Sequence, residues 1–229
     1  MRVRVASTAL GLTAVLLALP ACSTGTPQDE RSATTRAAEP SERAHETVLL
    51  SSAALESRLL NQSDLGSRYR PKPQHPARHE DVSVLGCPAL NELSGDAATG
   101  ATLTFPRKAK VAFTYGNSSS EISEELYSDS AKKLSDGISQ VFDALTGCPT
   151  YQILAGGAPV DVASQKLAAP RHLGDEQWSQ LLTFSTGGRS TVVKQTAIRD
   201  DSLLVIVSGS PALVDRHLRT AVAKGTLTG

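Results

Sequence analysis

Two carboxylates and the only tryptophan of the chain fall close together in Gly174-Asp175-Glu176 and Trp178. The carboxylates offer charge and acceptors, and the indole offers a broad apolar face with one donor, which together equip a binding loop at the entrance to a strand. The same residues also fit a turn whose glycine takes positive φ and whose tryptophan fills the core. His75 and His79 have the i, i+4 spacing of a helical metal site, with Glu80 beside His79. Pro76 removes the helix that would make that spacing useful, so a solvated loop is expected. Ser118-Ser119-Ser120 and Ser208-Gly209-Ser210 supply hydroxyls, but neither has the G-x-S-x-G pattern of a nucleophile elbow, and serine beside glycine is ordinary turn chemistry. Of the candidate bases, His172 falls in a predicted loop and His217 on the polar side of the closing helix, so no Ser-His-Asp set assembles. Gly156-Gly157 is not followed by Lys-Ser or Lys-Thr and reads as a turn, not a phosphate loop. No catalytic residue, metal ligand or cofactor is expected.

The cysteines divide into one and two. Cys22 ends the sequence Leu19-Pro20-Ala21-Cys22, directly after an almost unbroken apolar run over residues 6–19 that follows Arg2 and Arg4. A basic start and a short apolar run form a secretory signal, too short for a stable membrane span. The four residues resemble the bacterial lipobox, in which the cysteine thiol receives a diacylglycerol and becomes the new N-terminus after cleavage. Residues 1–21 are thus expected to be a signal peptide, and Cys22 the site of lipidation on the outer face of the cell membrane. Each buried acyl methylene contributes about 0.8 kcal/mol, so two or more chains, palmitate among them, give lasting attachment. Cys87 and Cys148 then lie in an oxidising compartment, where a disulfide is the simplest reading. It closes a loop of roughly 60 residues, for about 4 kcal/mol in the chain-entropy model. A free catalytic thiol or a metal pair is the sharper alternative, but no second ligand stands at the right spacing.

Without the signal the chain carries 21 basic and 23 acidic residues. That balance excludes the basic footprint of a nucleic-acid binder and a polybasic membrane patch. Residues 22–46 contain no Val, Leu, Ile or aromatic side chain and cannot offset their ordering entropy, so they read as a lipid-anchored flexible tether. Residues 47–229 are long enough for one domain with a real core.

Within that domain a helix is predicted from Ser51 or Ser52 to about Asn61, followed by an extended, proline-rich stretch. Cys87-Pro88 opens a short helix through Leu90 and Leu93. Leu103 and Phe105, then Val111, Phe113 and Tyr115, alternate as in two strands joined across residues 106–108, and Ile122, Glu124 and Leu126 keep that period in a third. From Ser128 the spacing changes to three and four through Leu134, Ile138, Phe142 and Leu145, a helix capped by Asp129 or Ser128 and ended by Gly147. Strands follow over residues 151–154 and 160–167, then a meander over 178–186, 190–198 and 203–207 with turns at Gly187-Gly188 and Asp200-Asp201. The last strand, Leu203-Leu204-Val205-Ile206-Val207, is apolar on both faces and should be central. Pro211 starts a closing helix with Leu213, Val214, Leu218, Ala221 and Val222 on one face. The class is α+β, an antiparallel sheet with helices packed on it.

Several of these features together form a pattern: Leu59-Leu60, Ser63-Asp64-Leu65 leading to Tyr69, Cys87-Pro88, Cys148-Pro149, Gly174-Asp175-Glu176, and the final hydrophobic strand and helix. The pattern resembles the extracellular sensor domains of actinobacteria, which occur outside receptor serine/threonine kinases of the mycobacterial type and as free-standing surface lipoproteins. It covers roughly residues 48–224. The resemblance implies an antiparallel sheet with packed helices, a cleft and two disulfides, of which this chain has cysteines for one. It implies no catalytic residues. The expected function is a non-catalytic surface lipoprotein binding a small ligand or envelope component in its cleft, with Asp175, Glu176 and Trp178 as possible contacts. The alternatives are an interaction module for a membrane partner and, behind it, an envelope hydrolase.

Overall fold

The computed structural model describes residues 49–73, 83–93, 103, 105–155, 158–168 and 172–227. Cys22, the tether, His75, His79 and Gly156-Gly157 lie outside the described residues.

Helix α1 (Ser52–Arg58) is capped by Ser51, whose hydroxyl accepts the Ala54 N–H at 3.2 Å. It ends before Leu59, earlier than the leucine spacing predicts, because Asn61 caps a second helix, α2 (Gln62–Leu65). There the Asn61 side chain accepts from Ser63 and Asp64, and Asp64 accepts the Asn61 N–H in return. Two short strands follow, β1 (Tyr69–Pro71) and β2 (Ser83–Leu85), and then α3 (Pro88–Glu92), started by Cys87-Pro88 as predicted. Next come β3 (Lys108–Tyr115), β4 (Glu121–Ser128), the long helix α4 (Ala131–Gly147), the strands β5 (Thr150–Ala155), β6 (Ala158–Lys166), β7 (Glu176–Thr186), β8 (Arg189–Asp200) and β9 (Leu203–Gly209), and the closing helix α5 (Pro211–Gly225).

Three local predictions need correction. Leu103 and Phe105 are not a strand: both reach the apolar cluster under α4, with Phe105 edge-on to Tyr127 at 5.7 Å between ring centroids. Their alternation reflects that shared destination, and Phe105 lies so close to Gly137 that a Cβ there would meet its ring at 2.9 Å. The N-cap of α4 is Ser130, not Ser128 or Asp129, and it makes no side-chain cap bond. Ser128 stays in β4, while Asp129 accepts the Ser130 N–H and faces Arg107 and Lys133. The turn before β9 is Asp201-Ser202, with Asp200 still in β8 and Asp201 at φ 47°.

All nine strands pair antiparallel in the order β1-β3-β4-β9-β8-β7-β6-β5-β2. Strands β5 to β9 are the predicted meander, and its last strand closes onto β4, placing β9 inside the sheet. Its five apolar residues are buried on both faces, as the sequence pattern requires. Leu203, Val205 and Val207 pack with α5, α1 and α2, whereas Leu204 and Ile206 pack with α4. The long helix α4 leaves β4 and must reach β5, which lies four strands beyond β9, so it crosses one face of the sheet diagonally. Its far end is tied to the start of α3 by the disulfide Cys87–Cys148, with Cα atoms 5.8 Å apart. On the opposite face the helices stop at β8, and the register leaves a half-sheet of β7, β6, β5 and β2 without a helix among the described residues.

Candidate functional site: a tryptophan cavity and an open half-sheet

Gly174 is not a positive-φ glycine. A Cβ there would meet the Arg199 carbonyl oxygen at 2.6 Å and Ile198 Cγ2 at 2.7 Å, so the residue is small because β8 passes against it. That close approach delivers Asp175 and Glu176 to one guanidinium. Arg199 Nε donates to Glu176 Oε2 at 2.5 Å, and its Nη1 donates to Asp175 Oδ2 at 3.0 Å. Asp175 Oδ2 also accepts the Asp201 N–H at 3.0 Å, and Ser135 Oγ donates to Glu176 Oε1 at 3.0 Å. The Asp201 N–H and Arg199 hold Asp175 below the usual carboxylate range. The two carboxylates thus form a latch joining the start of β7, the β8–β9 turn and α4.

Trp178 lies two residues along β7, on the face toward α4. Its ring centroid is 6.5 Å from that of Phe142, and the two border a cavity of about 370 Å³. Leu167 and Ala168 continue the apolar wall, while Asp143, Thr146 and Lys166 supply polar groups at its rim. An apolar, partly aromatic concavity with a few convergent polar groups has the makeup of a small-ligand site. Of the three residues singled out from sequence, one therefore borders a cavity and two are spent in an ion-pair latch.

The uncovered half-sheet on the opposite face forms a second concavity of about 490 Å³. Register builds it from two cross-strand rows, Leu85, Gln152, Asp161 and Ser185 in one and Thr150, Ala163 and Thr183 in the other, the second row continuing beyond the concavity to Val192 on β8. Gln152 Nε2 donates to Asp161 at 2.7 Å, which ties the polar middle together. The ends are apolar and exposed, Leu85 at 47% and Val192 at 42%. This surface is wide and shallow.

The two serine motifs meet in space. Ser119, Ser208 and Ser210 line one depression with Ser123 and Thr191, but no histidine lines it. Nor is His217 on the polar side of its helix. It is buried, and its Nε2 lies 2.6 Å from the Tyr69 hydroxyl. Its position between Val214 and Ala221 at three- and four-residue spacing carried that signal. Burial, and then the charge of Arg216, lower its pKa. His172 lies in the loop before β7 at φ 64°. Among the described residues no group of three His, Cys, Asp or Glu is placed to hold a metal ion.

Glu124 and Glu125, neighbours on β4, are buried on opposite faces. Glu125 is shared by Lys110 and the Tyr127 hydroxyl. Glu124 accepts the Leu60 N–H at 2.5 Å through Oε2, but its Oε1 has no partner among the described residues. Burial pushes Glu124 up to about 7. Sequence reasoning placed Glu124 in the apolar row of Ile122 and Leu126 without drawing the consequence that its carboxyl is buried with them.

No protein-family model matches the chain, and no curated protein does. Among solved structures, the chain is similar to the Rv0999 ortholog from Mycobacterium smegmatis at 14% identity and a TM-score of 0.38, over 71% of this chain and 92% of that one. It is also similar to the extracellular domain of PknH from Mycobacterium tuberculosis at 14% identity, over 78% of this chain and 95% of that one, with a TM-score of 0.57. The α+β architecture expected from the sequence is thus one shared with the extracellular domain of a mycobacterial protein, an antiparallel sheet carrying helices on both faces.

Proposed function

We propose that this protein is a non-catalytic, sensor-like surface lipoprotein that binds a small ligand in the Trp178–Phe142 cavity. The observation that carries the reading is the cavity itself: an aromatic and apolar wall and the charged rim groups Lys166 and Asp143 in a space of about 370 Å³. That volume lies in the range of small-molecule sites, roughly 300–1,000 Å³. The shared fold with an extracellular domain fits an extracytoplasmic position. Among the described residues no helix is long and apolar enough to cross a membrane, and the acyl group on Cys22 would supply the attachment.

Native mass spectrometry of the full chain purified from its own envelope extract tests the ligand reading. A co-purifying small molecule is expected, lost in Trp178→Ala and weakened in the exposed-rim variant Lys166→Gln while both retain their circular dichroism. A chain that emerges without a small molecule, from extracts in which the open half-sheet captures a defined protein, would favour the second reading. That reading rests on the exposed Leu85 and Val192 flanking a polar strip, the makeup of an interaction surface. For the anchor, Cys22→Ser is expected to leave the fold intact and release the protein from the membrane fraction. Continued membrane retention of that variant would refute a lipid as sole anchor.

A further inference from the structure

On the face opposite the Trp178 cavity, two cationic side chains gather around one phenol. Arg68 precedes β1, Tyr115 ends β3, and Arg216 sits on the exposed side of α5. Arg68 Nη1 donates to the Tyr115 hydroxyl at 2.9 Å, and its Cζ lies 5.5 Å from the ring centroid. Arg216 Cζ lies 5.9 Å from the same centroid, and the Tyr69 ring stands 4.9 Å from that of Tyr115. Two guanidinium groups therefore flank one phenol.

Among the described residues neither arginine has a carboxylate partner, and the carboxylates on the adjoining elements are engaged elsewhere. Asp215 on α5 pairs with Lys194, Asp64 on α2 with Lys224, and Glu121 on β4 with Lys72. Like charges gathered without a counter-ion repel, and the arrangement is relieved by an anion. The donor count points the same way. Two guanidinium groups carry about ten N–H donors, and the Tyr115 hydroxyl takes up one of them. Tyr69 is itself fixed from behind by His217, so the second phenol in the cluster is positioned by a buried contact.

We infer that Arg68, Tyr115 and Arg216 form a binding site for a phosphate-type oxyanion, separate from the ligand cavity. A carboxylate has the oxygens for one guanidinium fork; a tetrahedral phosphate can present oxygens to both, with the Tyr115 hydroxyl as a further donor. The source of the phosphate is a soluble phosphomonoester or a lipid headgroup at the surface to which the protein is tethered, and the two share this chemistry.

The test uses the full-length Cys22→Ser chain, so that no acyl group drives vesicle binding. Inorganic phosphate is titrated at low ionic strength while the Tyr115 ring carbon signal is followed by NMR across alkaline pH. The two guanidinium groups, Arg216 before Arg68, hold the phenol below its ordinary range; bound phosphate is expected to offset them and move its midpoint upward. Arg68→Gln and Arg216→Gln are each expected to weaken phosphate binding at least tenfold with unchanged circular dichroism, as both side chains are exposed. In a parallel arm, flotation with phosphatidic acid vesicles is compared with phosphatidylcholine vesicles. Tight phosphate binding with no preference between vesicles assigns the site to soluble phosphate. Preference for phosphatidic acid that disappears in the double variant assigns it to a headgroup. If phosphate leaves Tyr115 unmoved and both vesicle types treat the wild-type and double-variant chains alike, the site does not exist.

Discussion

The two faces of the sheet are held in different ways, and the adjacent residues Glu124 and Glu125 display the difference. Under α4, Glu125 is buried with Lys110 and the Tyr127 hydroxyl on its oxygens, the Arg199 latch closes the start of β7, and the disulfide Cys87–Cys148 fixes the far end of the helix. Under α1, α2 and α5, apolar packing does most of the holding, and Glu124 keeps one carboxyl oxygen unpartnered among the described residues. A buried carboxylate with half its acceptors unmet favours its protonated form. The α4 face is therefore tied by covalent and ionic cross-links, although Ser164 Oγ and Gln180 Oε1 have no partner there among the described residues, whereas the opposite face carries a protonatable group beneath its helices.

The largest effect is expected on the cross-linked side. Replacing Cys87 and Cys148 by serine should lower stability by about 4 kcal/mol through the released loop of roughly 60 residues. Hydrogen exchange should show the loss concentrated in α3, the end of α4 and β5. Equal acceleration beneath α5 would mean that the two faces do not differ in how they are held.

The next effect belongs to Glu124. Its carboxyl is raised from 4.5 to about 7 in the folded protein, so the stability it contributes is full at low pH and is lost as pH rises between those values. Glu124→Gln keeps an acceptor for the Leu60 N–H and removes the titration. Denaturant unfolding from pH 4 to pH 8 should therefore show the variant gaining on the wild-type chain by on the order of 3 kcal/mol across that interval, with a plateau above pH 7. Parallel pH profiles for the two proteins would remove Glu124 as the titrating group.

Glu125→Gln should have a smaller effect of opposite sign. It weakens the bonds to Lys110 and Tyr127 and is expected to cost about 2 kcal/mol at neutral pH. Stability measured on the double variant Lys110→Met, Glu125→Gln should recover part of that loss. An equal or larger loss in the double variant would mean that the ion pair is not what holds this carboxylate.

Much of the fold was legible because local periodicity and burial agreed. The unbroken apolar run of β9 required a central strand, the spacing of α4 required a helix lying on a sheet, and the Gly187-Gly188 turn joined β7 to β8 as expected. Errors arose where two local signals competed or where a contact came from far along the chain. Leu103 and Phe105 alternate because both meet the α4 cluster, not because they pair in a ladder. His217 was assigned to the polar face by residue type, although its helical position faces the core, where Tyr69 arrives from a distant strand. Asp175 and Glu176 looked available because Arg199, their partner, stands more than twenty residues away across a strand pair.

The sequence by itself determined the α+β class, the antiparallel meander, the pairing of Cys87 with Cys148 and the placement of Trp178 at the entrance to a strand. These follow from periodicity, turn chemistry and cysteine count, all of which act over short separations or by elimination. Only the tertiary structure decided which charges meet. Carboxylates and guanidinium groups reach one another through strand register and helix packing, and neither is encoded near the residues that pair. That is why the Arg199 latch, the half-satisfied Glu124 and the Arg68–Tyr115–Arg216 cluster emerge only once β9 is set between β4 and β8 and α5 is laid across them.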